Sequence, residues 1–210
     1  MSDSERVTLA ERAREKLTEK KSVFIATAAP VASEAAARAM IDEIRGEFPD
    51  ARHHVYAYLL QGGAVARCSD DGEPQGTGGV PVMNVARMSG ATDLCIVVTR
   101  YFGGILLGAP GLVRAYSGAA RLAVEAAGLV TLTDHTILSI ACGYGEYQRL
   151  SAAIPRLGAR EEGAEFASEV TVTAVAEAKN ADAFCRAVTE MTGGRARIAV
   201  IGHTERPAGK

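Results

Sequence analysis

The sequence lacks tryptophan, and its other large aromatic residues are limited to 6 Tyr and 5 Phe. A surface that stacks on nucleic-acid bases would therefore have to be built from tyrosine and phenylalanine. The sequence also lacks an excess of either charge, because 23 Lys and Arg are balanced by 25 Asp and Glu, a net charge of -2. Neither half is a basic domain, which argues against tight, nonspecific binding to duplex nucleic acid. A local basic patch remains compatible with this composition.

Cysteine is scarce as well, with 4 in the chain and no two at the spacing of a metal clip. Cys95 lies in an apolar run and Cys185 lies beside Phe184, so we predict buried free thiols. The amino terminus has no apolar segment of a secretory signal, and no run approaches the roughly 18 apolar residues that span a membrane. We therefore predict a cytoplasmic protein with no membrane contact, no metal and no cofactor.

Strand and helix patterns along the 210 residues predict an α+β protein of two domains, residues 1–133 and 134–210. Residues 5–20, with charges around a few apolar side chains, are typical of a solvated amphipathic helix. From residue 136 onward the predicted order is βαββαβ, the ferredoxin-like split βαβ motif. The first domain is further predicted to hold strands at 22–31, 53–60, 64–69 and 94–99, and helices at 34–48, 80–88 and 110–127.

The stretch "SDDGEPQGTGGVP", residues 69–81, combines carboxylates with glycines and prolines. Its carboxylates are those of Asp70, Asp71 and Glu73. Such a cluster is able to hold a hard cation, but the spacing of calcium-loop ligands is absent, and Asp-Gly and Pro are strong turn formers. Like charges this close repel, so they need a cation or a basic side chain, and Arg100 and Arg114 are the candidates. We favour a turn held by ion pairs over a metal site.

A second glycine-rich stretch, "TRYFGGILLGAPGLVRAY", follows a buried apolar run. A strand, a glycine turn and a helix start are the parts of an anion cradle, because free backbone N–H groups point outward there. Gly103 and Gly108 have the G-x-x-x-x-G spacing of a nucleotide P-loop, but Ala109 and Pro110 stand where its Lys and Ser or Thr belong. Phosphoryl transfer is thereby disfavoured, whereas contact with a phosphate or an RNA backbone stays open. Equally, the glycines let two backbone segments approach closely.

His53 shares one face of its predicted strand with Val55, Ala57 and Leu59, so we interpret it as a hydrogen-bonded core histidine ahead of a general base. His54 faces two tyrosines on the other side and is predicted to be exposed. The sequence contains no G-x-S-x-G elbow, no H-E-x-x-H motif and no local signature of a Cys–His pair. We therefore assign no catalytic residues.

The two glycine-rich stretches, extended to "SDDGEPQGTGGVPV" and "VVTRYFGGILLGAPGLVRAY", closely resemble the IMPACT family, including its bacterial YigZ-type members. "SVFIA" near the start and "ARHHVYAY", with His53, extend the resemblance over nearly the whole chain. Gly78 and Pro110 depart from the family, which usually has alanine and glycine there. The resemblance implies a first domain with a fold like the second domain of a small-subunit ribosomal protein and domain four of elongation factor G. It also implies association with nucleic acid or the ribosome, without establishing a reaction.

We expect the two stretches to meet in one cleft, where the carboxylates order the arginines and the glycine turn presents backbone to a ligand. The predicted cleft comprises His53, Asp70, Asp71, Glu73, Thr77, Arg100, Tyr101, Gly103, Gly104, Gly108 and Arg114. On this view, Asp71→Ala weakens binding more than folding. Three functions remain, in this order: a non-catalytic module that binds RNA or a ribosomal or translation component and so regulates translation, a phosphate- or nucleotide-ligand enzyme, and a protein-interaction regulator.

Overall fold

The computed structural model describes residues 5–208 and divides into two compact units that separate between Thr131 and Leu132. The first unit contains β1 (Arg6–Leu9), β2 (Ala13–Glu19), β3 (Ser22–Pro30), α1 (Glu34–Glu47), β4 (His53–Leu60), β5 (Val65–Ser69), α2 (Gly79–Met88), β6 (Leu94–Tyr101) and α3 (Gly108–Ala127). The strand β7 (Leu129–Cys142) begins in this unit and continues in the second. The second unit then adds α4 (Tyr144–Ala153), β8 (Ala159–Phe166), β9 (Val170–Glu177), α5 (Ala181–Met191) and β10 (Arg197–Pro207).

An antiparallel sheet forms the centre of the first unit, in the strand order β2-β3-β6-β4-β5. Alternate residues of a strand point to opposite faces, so both faces of this apolar sheet need cover. The helix α1 covers one face, while α2 and α3 cover the other. The core under α1 includes Met40, Ile41, Ile44, Tyr58 and Val97. The core under α2 and α3 includes Phe24, Val55, Val82, Ile96, Tyr116 and Ala119.

The helix α1 illustrates how local sequence starts and orients such an element. Ser33 precedes it in an extended conformation, and its Oγ accepts a hydrogen bond from the Ala36 N–H at 3.2 Å. Glu34 places a negative charge in the first turn, where the helix dipole favours it. The buried residues recur at helical spacing and are Ala37, Met40, Ile41 and Ile44. The helix predicted at residues 34–48 is therefore confirmed, with its last residue at Glu47.

The segment before β3 is the main correction to the predicted fold. Residues 6–9 and 13–19 form the strands β1 and β2, so the predicted amphipathic helix over residues 5–20 is wrong. Lys20 and Lys21 have positive φ values of 45° and 66° and turn the chain, so that β2 pairs with β3. Because β2 is an edge strand, its charged side chains discourage further strand pairing, and that charge pattern imitates a solvated helix.

The second unit has the strand order β10-β7-β9-β8 in its antiparallel sheet. One face of the sheet packs on both helices, where Leu138 and Ile140 meet Leu150 of α4 and Phe184 of α5. Chain order and sheet order together are those of the ferredoxin-like motif. The predicted α+β class and the ferredoxin-like second domain are therefore confirmed.

The strand β7 runs without interruption through the predicted domain boundary between residues 133 and 134. In the part of the chain that the structure describes, no helix is both long enough and apolar enough to cross a lipid bilayer.

The cysteines are free thiols that differ in exposure. Cys95 and Cys142 are buried, Cys185 is half-buried, and Cys68 is exposed. Burial raises the pKa of the Cys95 thiol to about 12, so it stays protonated at neutral pH. The prediction of a fully buried thiol is confirmed for Cys95 and is wrong for Cys185.

Candidate functional site

The acidic loop, residues 69–78, connects β5 to α2, and Asp70 organises it. The Oδ2 of Asp70 accepts a hydrogen bond from the Gly76 N–H at 2.8 Å. Its Oδ1 accepts from the Gly78 and Gly79 N–H groups at 2.9 and 2.8 Å. Burial raises the pKa of Asp70, but these three donors outweigh burial and hold the pKa below its ordinary value. Asp70 is therefore an internal cap for the loop and for the start of α2.

Asp71 ties the acidic loop to its surroundings on the α1 side. Its Oδ2 accepts a hydrogen bond from the His54 backbone N–H at 2.7 Å, and its Oδ1 accepts one from Arg45 Nη2 at 2.8 Å. Its φ of 45° is uncommon for a residue other than glycine. The sequence predicts Arg100 or Arg114 as its partner, whereas the structure places Arg45 of α1 there.

Glu73 lies at the centre of a buried charged network, with its side chain 3% exposed. Its Oε1 accepts hydrogen bonds from Arg100 Nη1 at 2.6 Å and from the Tyr116 hydroxyl at 2.8 Å. Burial, and next the Glu73 carboxylate, raise the pKa of Tyr116, so this hydroxyl remains a donor. The Arg100 guanidinium lies 5.5 Å from the Phe24 ring centroid and 5.6 Å from that of Phe102. Of the predicted ion pairs, Glu73–Arg100 is present.

His53 and His54 differ from their predicted environments. His53 Nδ1 lies 2.8 Å from the Asp71 carbonyl oxygen, so Nδ1 carries the proton in the neutral ring, and Nε2 lies 3.9 Å from Glu73 Oε1. The His53 side chain is 22% exposed. His54 is buried with Nδ1 3.0 Å from Thr99 Oγ1, and burial lowers its pKa. The predicted exposure of His54 is wrong because α1 covers the tyrosine-bearing face of β4.

The remaining residues predicted beside the carboxylates occupy separate positions. Thr77 Oγ1 donates to the Pro74 carbonyl oxygen at 2.6 Å and closes a turn of the acidic loop. Tyr101 is partly exposed at the end of β6, opposite Val23 of β3. Arg114 is exposed on α3 and makes no ion pair or hydrogen bond within residues 5–208. The predicted ordering of Arg114 by the acidic loop is therefore wrong.

The glycine loop, residues 102–108, connects β6 to α3 and packs on the turn between β2 and β3. The Gly103 N–H donates to Ser22 Oγ at 3.1 Å. A Cβ added at Gly103 would lie 2.0 Å from the carbonyl carbon of Lys21, so this glycine permits a close backbone approach. Gly104 and Gly108 have φ values of 82° and 70°, and an added Cβ would have no atom within 4 Å at either position. These two glycines are therefore favoured by their positive φ and not by a close backbone approach.

The glycine loop presents apolar side chains to solvent. Phe102, Ile105 and Leu106 are 48%, 42% and 83% exposed. Lys20 and Lys21 are also exposed, and they lie against this loop because Gly103 packs on the Lys21 backbone. Exposed aromatic and aliphatic groups next to cations form a surface of mixed character, whereas the acidic loop buries its Glu73 side chain.

A cavity of about 190 Å³ lies between the β2–β3 turn and the first turns of α3. Lys20 and Arg114 line it, together with Glu19. Its volume suits a phosphate group but is below the roughly 300–1,000 Å³ of small-molecule sites. Arg114 therefore belongs beside the glycine loop. We define the loop face as Lys20, Lys21, Phe102, Ile105, Leu106 and Arg114.

Sequence reasoning missed residues at both loops. Tyr116 lies within the quoted glycine-rich stretch, and a tyrosine between Ala115 and Ser117 is a usable signal for it. Lys20 was missed because it lay in the incorrect helix over residues 5–20, and Lys21 directly follows that segment. Arg45 had no local signal, because its contact with Asp71 depends on how α1 packs across the sheet.

Comparison with protein-family models gives two matches along the chain. The Impact N-terminal domain matches residues 20–124, and a domain of unknown function (DUF1949) matches residues 140–195. Both loops lie within the first of these matches.

Comparison with individual proteins extends the similarity to about nine tenths of the chain. The chain is 31% identical over 192 residues to the IMPACT family member YvyE of Bacillus subtilis, covering 91% of this chain and 88% of that protein. It is 31% identical over 185 residues to the IMPACT family member YigZ of Escherichia coli, covering 87% of this chain and 91% of that protein. The fold is similar to a crystal structure described as that of a hypothetical protein, with a TM-score of 0.64 and 28% sequence identity. The match covers 96% of this chain and 99% of the chain in that structure.

Proposed function

Since this chain belongs to the IMPACT family, we propose that it is a non-catalytic module that binds RNA or a ribosomal component through the loop face and thereby acts on translation. The observation that carries this proposal is the half-exposed ring of Phe102, which lies over the Arg100 guanidinium and directly precedes Gly103, the residue that packs on the backbone of the exposed Lys21. The chain contains few aromatic residues, and this one is placed in solvent next to cations.

The chemistry of the loop face suits unpaired RNA. A base stacks on an aromatic ring whatever its identity, and each such contact contributes roughly 1–3 kcal/mol. Lys20, Lys21 and Arg114 supply positive charge for phosphates, and the small cavity between Lys20 and Arg114 has room for one phosphate. Because recognition of this kind needs splayed bases, loops and single strands are the expected targets rather than helices.

The acidic loop supports the binding proposal over the enzymatic alternative. Asp70 holds backbone N–H groups, Asp71 holds Arg45 and a backbone N–H, and Glu73 holds Arg100 and Tyr116. A general base or a metal ligand needs a lone pair directed at its target, whereas each of these carboxylates already accepts at least two hydrogen bonds from the protein. The acidic loop therefore acts as a scaffold that positions Arg100, and through it Phe102.

A protein partner is the second candidate, and the second unit favours it. Val200 and Ile201 are each 58% exposed at an irregularity in the pairing of β10 with β7. Adjacent exposed aliphatic residues on a sheet edge are a feature of protein-interaction surfaces.

Sedimentation of the tagged, full-length protein through a sucrose gradient tests the proposal and separates the candidates. We expect co-migration with a ribosomal subunit in native lysate, lost after ribonuclease treatment and lost in Phe102→Ala. Phe166→Ala is the matched control, because Phe166 is also exposed, at 58%, but lies in the second unit. Co-migration that survives ribonuclease favours the protein partner. A protein that stays at the top of every gradient contradicts ribosome association.

A further inference from the structure

A polar cavity of about 460 Å³ lies at one end of the sheet in the second unit. Its lining includes His135, Arg160, Val175, Glu177, Asn180 and Arg206. This volume falls within the range of roughly 300–1,000 Å³ that small-molecule sites occupy. The lining includes cationic, anionic and neutral hydrogen-bonding side chains. A packing defect in the core would instead be lined by apolar groups.

One side of the cavity is cationic. Arg206 of β10 and Arg160 of β8 come from strands that do not pair with each other, yet both guanidinium groups donate to the same oxygen, Oε1 of Glu162. The Arg206 guanidinium, and next that of Arg160, lower the pKa of Glu162 to about 2. Each guanidinium carries five N–H donors, and Glu162 takes one from each, so further donors remain for a ligand. An anionic group would thus meet two arginines already held in place.

Other residues of the lining offer acceptors. His135 is only 7% exposed, and its Nδ1 lies 2.9 Å from the Thr133 carbonyl oxygen, so Nδ1 carries the proton in the neutral ring. Nε2 is then the nitrogen left for a ligand, and it has no hydrogen-bond partner within residues 5–208. Glu177 is the cross-strand neighbour of His135 and adds a carboxylate, which Lys179 approaches at 3.0 Å and Asn180 at 3.3 Å.

We infer that this cavity binds a small anionic molecule that also carries a hydroxyl or ammonium group. The anionic group lies against Arg206 and Arg160, and the donor group lies between His135 Nε2 and Glu177. A plain anion would bind the two arginines but would leave His135 Nε2 without a donor. The phosphate of a phosphorylated compound and the carboxylate of a hydroxy acid or amino acid share the required chemistry. The site is independent of the proposed RNA binding, since its residues all lie in the second unit.

The test is an amide NMR titration of the full-length protein with glycerol 3-phosphate and, separately, with citrate, at constant ionic strength set by chloride. Both probes carry an anionic group and a separate hydroxyl. We expect saturable shifts at residues 135, 177 and 206 with at least one of them. Arg206→Gln should weaken that binding about tenfold, because it removes a charge-assisted hydrogen bond. Saturation by glycerol 3-phosphate alone identifies phosphorylated ligands, and saturation by citrate alone identifies hydroxy acids.

Arg197→Gln is the matched control. Arg197 lies on β10, the strand that also carries Arg206, but it pairs with Glu169 outside the cavity. This variant should bind like the wild type. Asn180→Ala, at an exposed position of the lining, provides a second variant whose folding is not at risk and should also weaken binding. The inference is overturned by linear shifts spread over the surface with both probes, or by equal affinity in Arg206→Gln and Arg197→Gln.

Discussion

The acidic loop (residues 69–78) and the glycine loop (residues 102–108) each connect a strand to a helix, and each depends on glycines. They treat their side chains in opposite ways. The acidic loop directs its three carboxylates inward, and the most buried of them, Glu73, is bound by Arg100 and Tyr116. The glycine loop leaves Phe102, Ile105 and Leu106 in solvent.

The two loops therefore have different roles, stabilising the fold and binding a partner, which their similar glycine-rich sequences do not distinguish. Charged residues in a glycine-rich loop suggest chemistry, yet here they serve as internal hydrogen-bond acceptors. The apolar residues of the other loop, which suggest a core, are the ones left available for a partner. If this division is correct, substitutions in the acidic loop act on stability, and those at Phe102 act on binding.

The largest effect is expected at Glu73, the buried carboxylate of the acidic loop. Glu73→Gln leaves the Arg100 charge buried without a counter-charge and should lower the free energy of unfolding by about 3–5 kcal/mol. Urea denaturation measures this loss. Glu47→Gln, which breaks an exposed pair with Arg14, is the control and should change stability little. Equal stability of the two variants would contradict the stabilising role assigned to the acidic loop, since Glu73 would then have no structural role.

Gly103→Ala tests whether the glycine loop is held by close backbone contact. The new Cβ would lie 2.0 and 2.2 Å from the Lys21 carbonyl carbon and oxygen, so the two segments must separate. We expect a loss of about 3 kcal/mol or more, the upper part of the range for overpacked sites. Gly46→Ala is the control, because a Cβ added at this position of α1 has no atom within 4 Å. This substitution should raise helix stability slightly, since alanine favours the helix more than glycine does. A wild-type melting temperature for Gly103→Ala would show that the loop adapts freely.

Asp70→Asn tests the capping role through pH. Removing the charge weakens three hydrogen bonds and should cost roughly 1–2 kcal/mol at pH 7. Because folding lowers the pKa of Asp70 below its ordinary 3.8, its contribution is fully present above that value and is lost as the pH falls through the folded pKa. The stability difference between wild type and variant should therefore stay constant from pH 7 to about pH 5 and shrink in more acidic buffer. A difference that grows on acidification contradicts this assignment.

Phe102→Ala should have the smallest effect on stability. The ring is half-exposed, and its contact with the Arg100 guanidinium contributes about 1 kcal/mol or less. Thermal unfolding of this variant beside Glu73→Gln gives the sharpest contrast between the loops. A loss comparable to that of Glu73→Gln would mean that Phe102 is a core residue.

Much of the fold could be predicted from the sequence, because its signals are local. The serine cap before α1, the apolar run of β6 and the βαββαβ order of the second unit are each encoded within short segments. The strand β2 could not be predicted in this way. Its charges reflect its place at the sheet edge, which depends on tertiary pairing with β3.

The candidate site was predicted only in outline. The sequence identifies both loops and one ion pair, Glu73–Arg100, because these residues lie in unusual stretches. It does not reveal that Asp71 binds Arg45 or that Arg114 lies beside the glycine loop, since both depend on packing between distant segments. It also gives no sign that Phe102 is exposed while the neighbouring strand is buried.

The measurement that tests the central claim most directly is the affinity of Phe102→Ala for a labelled single-stranded RNA of about 12 nucleotides, by fluorescence anisotropy. The loss of one stacked base should weaken binding by about 5- to 150-fold, with Phe166→Ala unchanged from wild type. Wild-type affinity in Phe102→Ala, or equal weakening in both variants, would contradict the assignment of the loop face as the binding surface.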